Sequence, residues 1–234
     1  MSARTAHAGA RIFDGDRWHD GCALLVDGGD VVGIVPADAV PEDAARVDLD
    51  GGMLVPGFVD LQVNGGGGVM FNDHPDVASI ETICRAHARF GTTALLATLI
   101  TDTPGITARA VEAGAEAARR GVPGFLGLHL EGPHLSIARK GAHDPKALRD
   151  PSVAELDRLL DAGAGWIRMI TFAPERPGAL ETIRACVAQG VVAAVGHTDA
   201  SYRQVADAVD AGVTVATHLF NAMRPVHHRK GGPV

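Results

Sequence analysis

The sequence predicts an α/β fold in which short parallel strands alternate with helices, preceded by a small β-rich segment. From Gly52 onward, apolar runs of strand length alternate with longer stretches whose apolar side chains recur every three or four residues, as in amphipathic helices. Polar side chains that are costly to bury stand at the carboxyl ends of several of these runs. We therefore expect a small β-rich flanking domain over residues 1–52 and a strand–helix domain over residues 53–234.

The first fifty residues contain three short β-rich pieces, ARIFDG, CALLVDGG and VVGIVPA, separated by Asp and Gly turns. This spacing predicts a small meander or one layer of a sandwich. No cluster of chemically reactive side chains is visible in the segment, so we expect it to flank the functional domain.

Several helices in the second segment are predicted to begin at a capping side chain followed by proline, as at Thr103-Pro104 and Asp150-Pro151. Each is expected to end at a glycine that can adopt the left-handed conformation, namely Gly91, Gly121, Gly163, Gly190 or Gly212. A strand-like run follows each glycine: TTALLATLI, VPGFLGLHLE, WIRMITF, VVAAVGH and VTVATHLF. With LVPGFVDLQVN in front, these runs predict six parallel strands and five intervening helices.

Two architectures share this alternation, an open doubly wound sheet and an eight-stranded barrel. A nucleotide-binding open sheet usually carries a GxGxxG turn leading into a helix, whereas NGGGGVMFNDH lacks that order and is more typical of an active-site loop. Polar residues at strand ends favour the barrel, because the catalytic face of a barrel lies there. We predict a TIM (β/α)8-type barrel that is C-terminally truncated after about strand six, since the sequence stops at GGPV.

Composition limits the classes of partner. A net charge of -7 gives no general electrostatic reason to bind nucleic acid or an anionic membrane. The N-terminal residues lack an apolar stretch of the signal-peptide type, and the apolar run TTALLATLI is too short to span a bilayer. We expect a cytoplasmic protein. The three cysteines are widely spaced without a CxxC pair, which favours buried free thiols over disulfides or a structural zinc site.

Glu131, His197 and His218 stand at the ends of the third, fifth and sixth predicted strands. If these ends meet at a barrel mouth, two neutral imidazoles and one carboxylate converge and leave a position open for water. This ligand set is common for zinc and related divalent metals, which lower the pKa of water and polarise carbonyl groups. Any one of the three alone could simply be a hydrogen-bonded polar residue. Three of them at three strand ends favour a metal site.

Four stretches carry a family resemblance: PGFVDLQVNGGGG (56–68), LGLHLEGPHLSIARKGAHDP (126–145), VGHTDASYRQVADAVDAGVTVATHLFNAM (195–223) and HHR (227–229). They resemble the N-acetylglucosamine-6-phosphate deacetylase family of the amidohydrolase superfamily. The resemblance implies a barrel with a small flanking β-domain. It also implies metal-dependent hydrolysis of N-acetyl-D-glucosamine 6-phosphate to D-glucosamine 6-phosphate and acetate, with a homodimeric full-length protein.

The resemblance also implies roles for individual residues. Ala142 and His143 match positions that lie against the acetamido sugar, and His143 would help to polarise the carbonyl. Asn221 and Ala222 match positions that contact the sugar phosphate, and Arg229 matches an arginine that pairs with it. A guanidinium suits this role because its planar fork can meet phosphate oxygens in a bidentate way.

Two departures from the family pattern shape the expectations. Gln62 and Asn64 replace the HxH pair that many amidohydrolases carry, and neutral amides are poor ligands for a transition metal. One divalent metal, zinc as the first candidate, is therefore expected rather than two. The family also places a substrate-contacting histidine and a general acid/base aspartate beyond the last motif found here, and no residue of this sequence matches them.

The expected origin of the chain is a fragment of a longer polypeptide, with completion by partner chains or a decayed copy as alternatives. Two other functions stay open. The chain could be a catalytically inactive fragment that binds a metal or a sugar phosphate. It could instead belong to a related amidohydrolase that acts on N-acetylgalactosamine 6-phosphate.

Overall fold

The computed structural model describes residues 4–229 and 231–234, and the chain divides into two compact units, Met1–Gly57 and Phe58–Val234. The described part of the first unit forms seven short strands: β1 (Thr5–Ala8), β2 (Arg11–Phe13), β3 (Trp18–His19), β4 (Cys22–Asp27), β5 (Asp30–Pro36), β6 (Ala45–Asp48) and β7 (Met53–Leu54). They make two sheets, with strand orders β5-β4-β1-β6 and β3-β2-β7. A simple meander is wrong for this unit, because β6 pairs with β1 in parallel and β7 pairs with β2 in parallel.

The second unit contains eight strands among the described residues: β8 (Phe58–Val63), β9 (Gly65–Gly66), β10 (Val69–Met70), β11 (Thr92–Ile100), β12 (Phe125–Glu131), β13 (Ile167–Phe172), β14 (Val192–Val195) and β15 (Val215–Ala216). Its helices are α1 (Val77–Ala88), α2 (Pro104–Arg119), α3 (Val153–Gly163), α4 (Ala179–Ala188) and α5 (Tyr202–Asp210). Strands β9 and β10 form a small hairpin directly after β8.

Six strands form one parallel sheet in the order β15-β14-β13-β12-β11-β8. The six predicted strands and the five predicted helices are therefore confirmed, and each helix connects two neighbouring parallel strands. The last two strands are shorter than predicted. Strand β14 ends two residues before His197, and β15 ends two residues before His218, so both histidines lie on the turns that follow their strands.

Helix boundaries follow local chemistry, with two corrections. Thr103 caps α2 as predicted, because its side chain accepts a hydrogen bond from the Ile106 backbone. The Asp150-Pro151 start predicted for α3 is wrong, since that helix begins after Ser152. Gly163 is not a left-handed stop either, because Ala164 takes that conformation at φ 47° and Gly163 instead leaves room for Ile167.

The parallel sheet is strongly curled. Strands β8 and β15 lie at its opposite edges, and six strands at the usual spacing of about 4.8 Å would hold them roughly 24 Å apart in a flat sheet. However, the side-chain amide nitrogen of Gln62 on β8 lies 3.3 Å from Nε2 of His218, which follows β15. The carboxyl ends of the strands therefore surround a common space, as in the greater part of a barrel wall.

Apolar side chains fill both faces of the curled sheet. Outside, helices and strands share a continuous core that includes Ile80, Leu128 and Ile183, all fully buried. Inside the curl, Leu96, Met169 and Ala194 form a smaller buried cluster. Of the helices in the described residues, none combines the length and apolar character needed to cross a membrane.

Candidate metal centre

Glu131 is the centre of a polar cluster at the carboxyl ends of the parallel strands. It is the last residue of β12 and is 2% exposed. Its Oε1 lies 3.1 Å from Nε2 of His197 and 2.9 Å from Nε2 of His218, both within hydrogen-bonding distance. The structure thus brings together the three residues that the sequence predicts as metal ligands.

The two histidines stand on strained backbone. His197 has φ 46° and His218 has φ 57°, left-handed values that side-chain-bearing residues rarely adopt. Phe220 and Ala222, on the same turn as His218, share this conformation. Such strain persists only where surrounding structure enforces it, and it concentrates at functional sites. In this backbone conformation, both imidazoles point towards Glu131.

His197 is held in a tautomer that suits metal binding. Its Nδ1–H donates a 2.8 Å hydrogen bond to the backbone carbonyl of Arg139. A neutral His197 therefore carries its proton on Nδ1 and its lone pair on Nε2, the atom that faces Glu131, whereas only the protonated imidazolium can also donate from Nε2 to the carboxylate. Metal-binding histidines commonly fix their orientation through this kind of hydrogen bond on the second nitrogen.

His143 joins the same cluster in the opposite tautomer. It is 3% exposed, and its Nε2 lies 3.9 Å from Oε2 of Glu131. Its Nδ1 accepts the backbone N–H of Thr101 at 3.2 Å and lies 2.8 Å from the Thr101 hydroxyl. Because an N–H can donate only to an unprotonated nitrogen, neutral His143 carries its proton on Nε2. It therefore presents a hydrogen-bond donor to the cluster.

The ionisable side chains of the cluster shift one another's pKa values. Burial opposes ionisation of Glu131, but the hydrogen bond from His197 and the nearby histidine charges prevail and lower its pKa to about 2. Burial also opposes protonation of His197, yet its bonds to Glu131 and Arg139 raise its pKa overall. For His143, burial prevails over Glu131 and lowers the pKa to about 4. Glu131 is thus a carboxylate and His143 a neutral imidazole near pH 7.

The donor set fits a divalent metal. Glu131, His143 and His197 each offer one ligand atom, and these atoms lie within 4.8 Å of one another. Two ligands of a tetrahedral zinc ion are separated by about 3.4 Å, given bond lengths near 2.0–2.1 Å. The distances from Glu131 to His197 and His218, 3.1 and 2.9 Å, are close to that separation. His143 is near enough to ligate by distance, but its Nε2–H makes it a donor rather than a ligand.

The remaining predicted residues lie around this cluster without joining its hydrogen bonds. Ala142 is exposed beside His143, and Arg229 is exposed on the loop after β15. The backbone N–H of Asn221 donates to the His218 carbonyl at 2.6 Å, and the Ala222 carbonyl accepts from the Thr198 N–H at 3.1 Å. Both therefore help to shape the turn that carries His218.

A network of ionic contacts that the sequence did not reveal links the loops around His197. The carboxylate of Asp199 accepts hydrogen bonds from Nε of Arg139 and Nη2 of Arg224, each at 2.9 Å. Glu175 in turn accepts the Thr198 hydroxyl and the Asp199 backbone N–H. These residues come from four separate segments, so no local motif could have grouped them.

Residues 53–231 match the amidohydrolase family, and residues 6–54 match the NagA composite domain. The chain belongs to the amidohydrolase family. The family match covers the curled sheet with Glu131, His143, His197 and His218, so the cluster lies within the part of the chain that defines the family.

Several relatives share most of this chain. An N-acetylgalactosamine-6-phosphate deacetylase from a Shewanella species is 39% identical over 97% of the chain, which spans 57% of that relative. The crystal structure of an N-acetylglucosamine-6-phosphate deacetylase from Pasteurella multocida matches with a TM-score of 0.92 and 37% identity, covering 98% of this chain and 60% of that one.

A mutant N-acetyl-D-glucosamine-6-phosphate deacetylase from Mycobacterium smegmatis, solved with N-acetyl-D-glucosamine-6-phosphate, matches with a TM-score of 0.87 and 43% identity. It covers 99% of this chain, which spans 59% of that structure. The chain therefore spans less than two thirds of the length of each of these three relatives.

Proposed function

We propose that this chain carries the metal-binding part of the active site of an N-acetylglucosamine-6-phosphate deacetylase. The observation that carries the proposal is the convergence of His197 and His218 on Oε1 of Glu131, at 3.1 and 2.9 Å, in a chain of which 98% matches the structure of the Pasteurella multocida deacetylase. The reaction is hydrolysis of N-acetyl-D-glucosamine 6-phosphate to D-glucosamine 6-phosphate and acetate.

The proposed architecture extends the curled sheet to a complete (β/α)8 barrel. Its six strands would be closed by two more strands in a longer protein, in which residues 53–234 supply most of the barrel and residues 1–52 supply part of the flanking β-domain. The curl supports this proposal, because it already brings the carboxyl ends of β8 and β15 to opposite sides of one cluster.

We propose that Glu131, His197 and His218 hold one divalent metal, with zinc as the first candidate for a carboxylate and two imidazoles. A metal in this position supplies Lewis acidity, which polarises an amide carbonyl and lowers the pKa of water towards about 7. Glu131 contributes negative charge, and His197 contributes an Nε2 lone pair that is kept free by the Arg139 carbonyl. The exposed His218 leaves the cluster open towards solvent.

His143 would stabilise the charge that develops on the acetamide oxygen. Its Nε2–H points into the cluster because Thr101 occupies Nδ1. A neutral imidazole donor of this kind is pre-organised, and one such donor typically accounts for about 10²–10³ in rate. Ala142 beside it would lie against the sugar. The proton transfers themselves would use a carboxylate outside this chain, as the family resemblance implies.

The sugar phosphate is proposed to bind at the turn after β15. Asn221 and Ala222 shape this turn through their backbone hydrogen bonds, and Arg229 is exposed on the same loop, where its guanidinium is accessible to an anion. N-acetylgalactosamine 6-phosphate is a second candidate substrate, favoured by the similarity to the Shewanella enzyme. The proposal also includes a cytoplasmic location and a homodimeric full-length protein.

Acetate release tests the function directly. The zinc-loaded chain, in excess over N-acetyl-D-glucosamine 6-phosphate, is expected to release acetate slowly, since the proton-transferring carboxylate lies outside it, in a reaction that chelation abolishes and His143→Gln slows further. Binding of the sugar phosphate without acetate would favour the inactive-fragment alternative. Faster release from the galactosamine epimer would favour the second substrate. A zinc-loaded chain that binds neither sugar phosphate would refute the proposed function.

A further inference from the structure

A buried series of hydrogen-bonded side chains lies one layer below the proposed metal ligands. It consists of Thr98 on β11, His129 on β12, Thr171 on β13 and Thr217 just after β15, which we call the buried polar layer. Its threonines follow Leu96, Met169 and Val215 of the inner apolar cluster by two residues, so they face the same interior one step further along each strand.

The hydrogen bonds of the buried polar layer form one ordered series. Nε2 of His129 lies 2.8 Å from the Thr171 hydroxyl, which lies 2.8 Å from the Thr217 hydroxyl. Nδ1 of His129 lies 3.4 Å from the Thr98 hydroxyl. Thr98 also accepts the Val63 N–H at 3.0 Å and donates to the Leu96 carbonyl at 3.2 Å.

One assignment of protons satisfies every member. Because Thr98 donates its hydroxyl proton to Leu96, His129 must donate to Thr98 from Nδ1. Nε2 of His129 then accepts from Thr171, and Thr171 accepts from Thr217. A neutral imidazole therefore completes the series with no donor or acceptor left unpaired within the buried polar layer, and the series has a single direction across the sheet.

The residues of the buried polar layer are neighbours in sequence of the proposed ligands. Glu131 follows His129 by two residues and on the same face of β12, and His218 follows Thr217 directly. Gly196, the residue before His197, is packed against it: an added Cβ would lie 2.8 Å from Cβ of Thr217 and 2.9 Å from Cγ2 of Thr171. All three ligand-bearing segments therefore contact the same layer.

Apolar side chains would fill this space equally well, since barrel interiors are usually packed with branched aliphatic residues. Hydrogen bonds differ from apolar packing because they fix distance and direction between strands. Resting on the function proposed above, we infer that the buried polar layer positions Glu131, His197 and His218 for the metal, with Thr171 as its central positioning residue. Loss of its hydroxyl should change the metal's coordination and affinity, beyond any loss of stability.

Cobalt(II) provides a readout that does not depend on activity, because its visible d–d spectrum reports coordination geometry. The test titrates the purified chain with cobalt(II), for the wild type, Thr171→Val and Thr171→Ser, and measures urea unfolding of each. Thr182→Val is the matched control, because Thr182 on α4 is 1% exposed and its hydroxyl donates to the carbonyl of Gly178, the residue before that helix.

Thr171→Val is expected to weaken cobalt binding by about 10-fold, the lower end of the effect of removing a group hydrogen-bonded to a ligand itself, because Thr171 acts through neighbours of the ligands. Its d–d spectrum at saturation should differ from that of the wild type. Thr171→Ser, which keeps the hydroxyl, should have the cobalt affinity and the spectrum of the wild type. Thr182→Val should keep wild-type affinity and spectrum, even where its stability is lowered equally. If Thr171→Val does not fold, Thr217→Val carries the same test.

Two results would overturn the inference, and they are distinguishable. A wild type that binds cobalt, together with a Thr171→Val variant that matches Thr182→Val in affinity and spectrum, removes the positioning role alone. A wild-type chain that does not bind cobalt removes the proposed metal site together with the inference.

Discussion

Replacing Gly114 by alanine separates two opposing effects in α2. In the middle of a helix, alanine is favoured over glycine by about 0.8–1.0 kcal/mol. In this helix, however, an added Cβ at Gly114 would lie 2.5 Å from Cδ1 and 2.6 Å from Cγ of Leu128, which is fully buried on β12. Overpacking of a core typically costs about 1–3 kcal/mol. Because the contact reaches the branch point of Leu128, we expect a steric cost in the upper part of that range, about 2–3 kcal/mol, which exceeds the gain in helix propensity by about 1–2 kcal/mol.

Gly105 on the same helix is the matched control. It is exposed, and an added Cβ there would meet nothing within 4 Å. Gly105→Ala should therefore raise the free energy of unfolding by up to about 1 kcal/mol. Urea unfolding measures the free energy of unfolding of both variants, provided that its dependence on urea concentration has the same slope as in the wild type. If Gly114→Ala proves as stabilising as Gly105→Ala, then α2 does not pack this closely on the strand that carries Glu131.

Two further predictions concern other parts of the chain. Burial raises the pKa of Cys84 to about 11 and that of Cys186 to about 12, so a thiol reagent at pH 7 should label Cys22 first and the other two only in urea. The second is Asp199→Asn. The two arginines lower the pKa of Asp199, so the wild type should be more stable than the variant at pH 7, by less than about 1 kcal/mol because the group is accessible to solvent. This advantage should be complete above about pH 5 and disappear as the pH falls through and below 3.8, as measured by urea unfolding across that range.

The sequence predicted the second unit well because its elements are locally encoded. Helical periodicity and a turn residue at nearly every helix end set the order of strands and helices, and parallel connections leave few ways to arrange them. Gly163 shows the limit of this reasoning. Glycine is needed there for space beside Ile167, and a sequence does not distinguish that need from a left-handed turn.

The proposed ligands could be predicted because residues at the carboxyl ends of parallel strands meet at one edge of the sheet. Their surroundings could not, because they depend on contacts between distant segments. Thr101 sets the tautomer of His143 from 42 positions away, and the Arg139 carbonyl sets that of His197 from 58 positions away. His129 was visible on the same face as Glu131, but its partners Thr98 and Thr171 lie on two other strands of the sheet.

Metal content after dialysis tests the central claim most directly. The purified chain, equilibrated with zinc and dialysed against metal-free buffer, is expected to retain one equivalent by atomic emission. Glu131→Gln should retain none, because it removes the carboxylate that both imidazoles face. Glu155→Gln, which changes a carboxylate bound to Arg149 away from the cluster, should retain the wild-type amount. A wild-type chain that retains no zinc, or a Glu131→Gln variant that retains as much as the wild type, would contradict the metal centre described above.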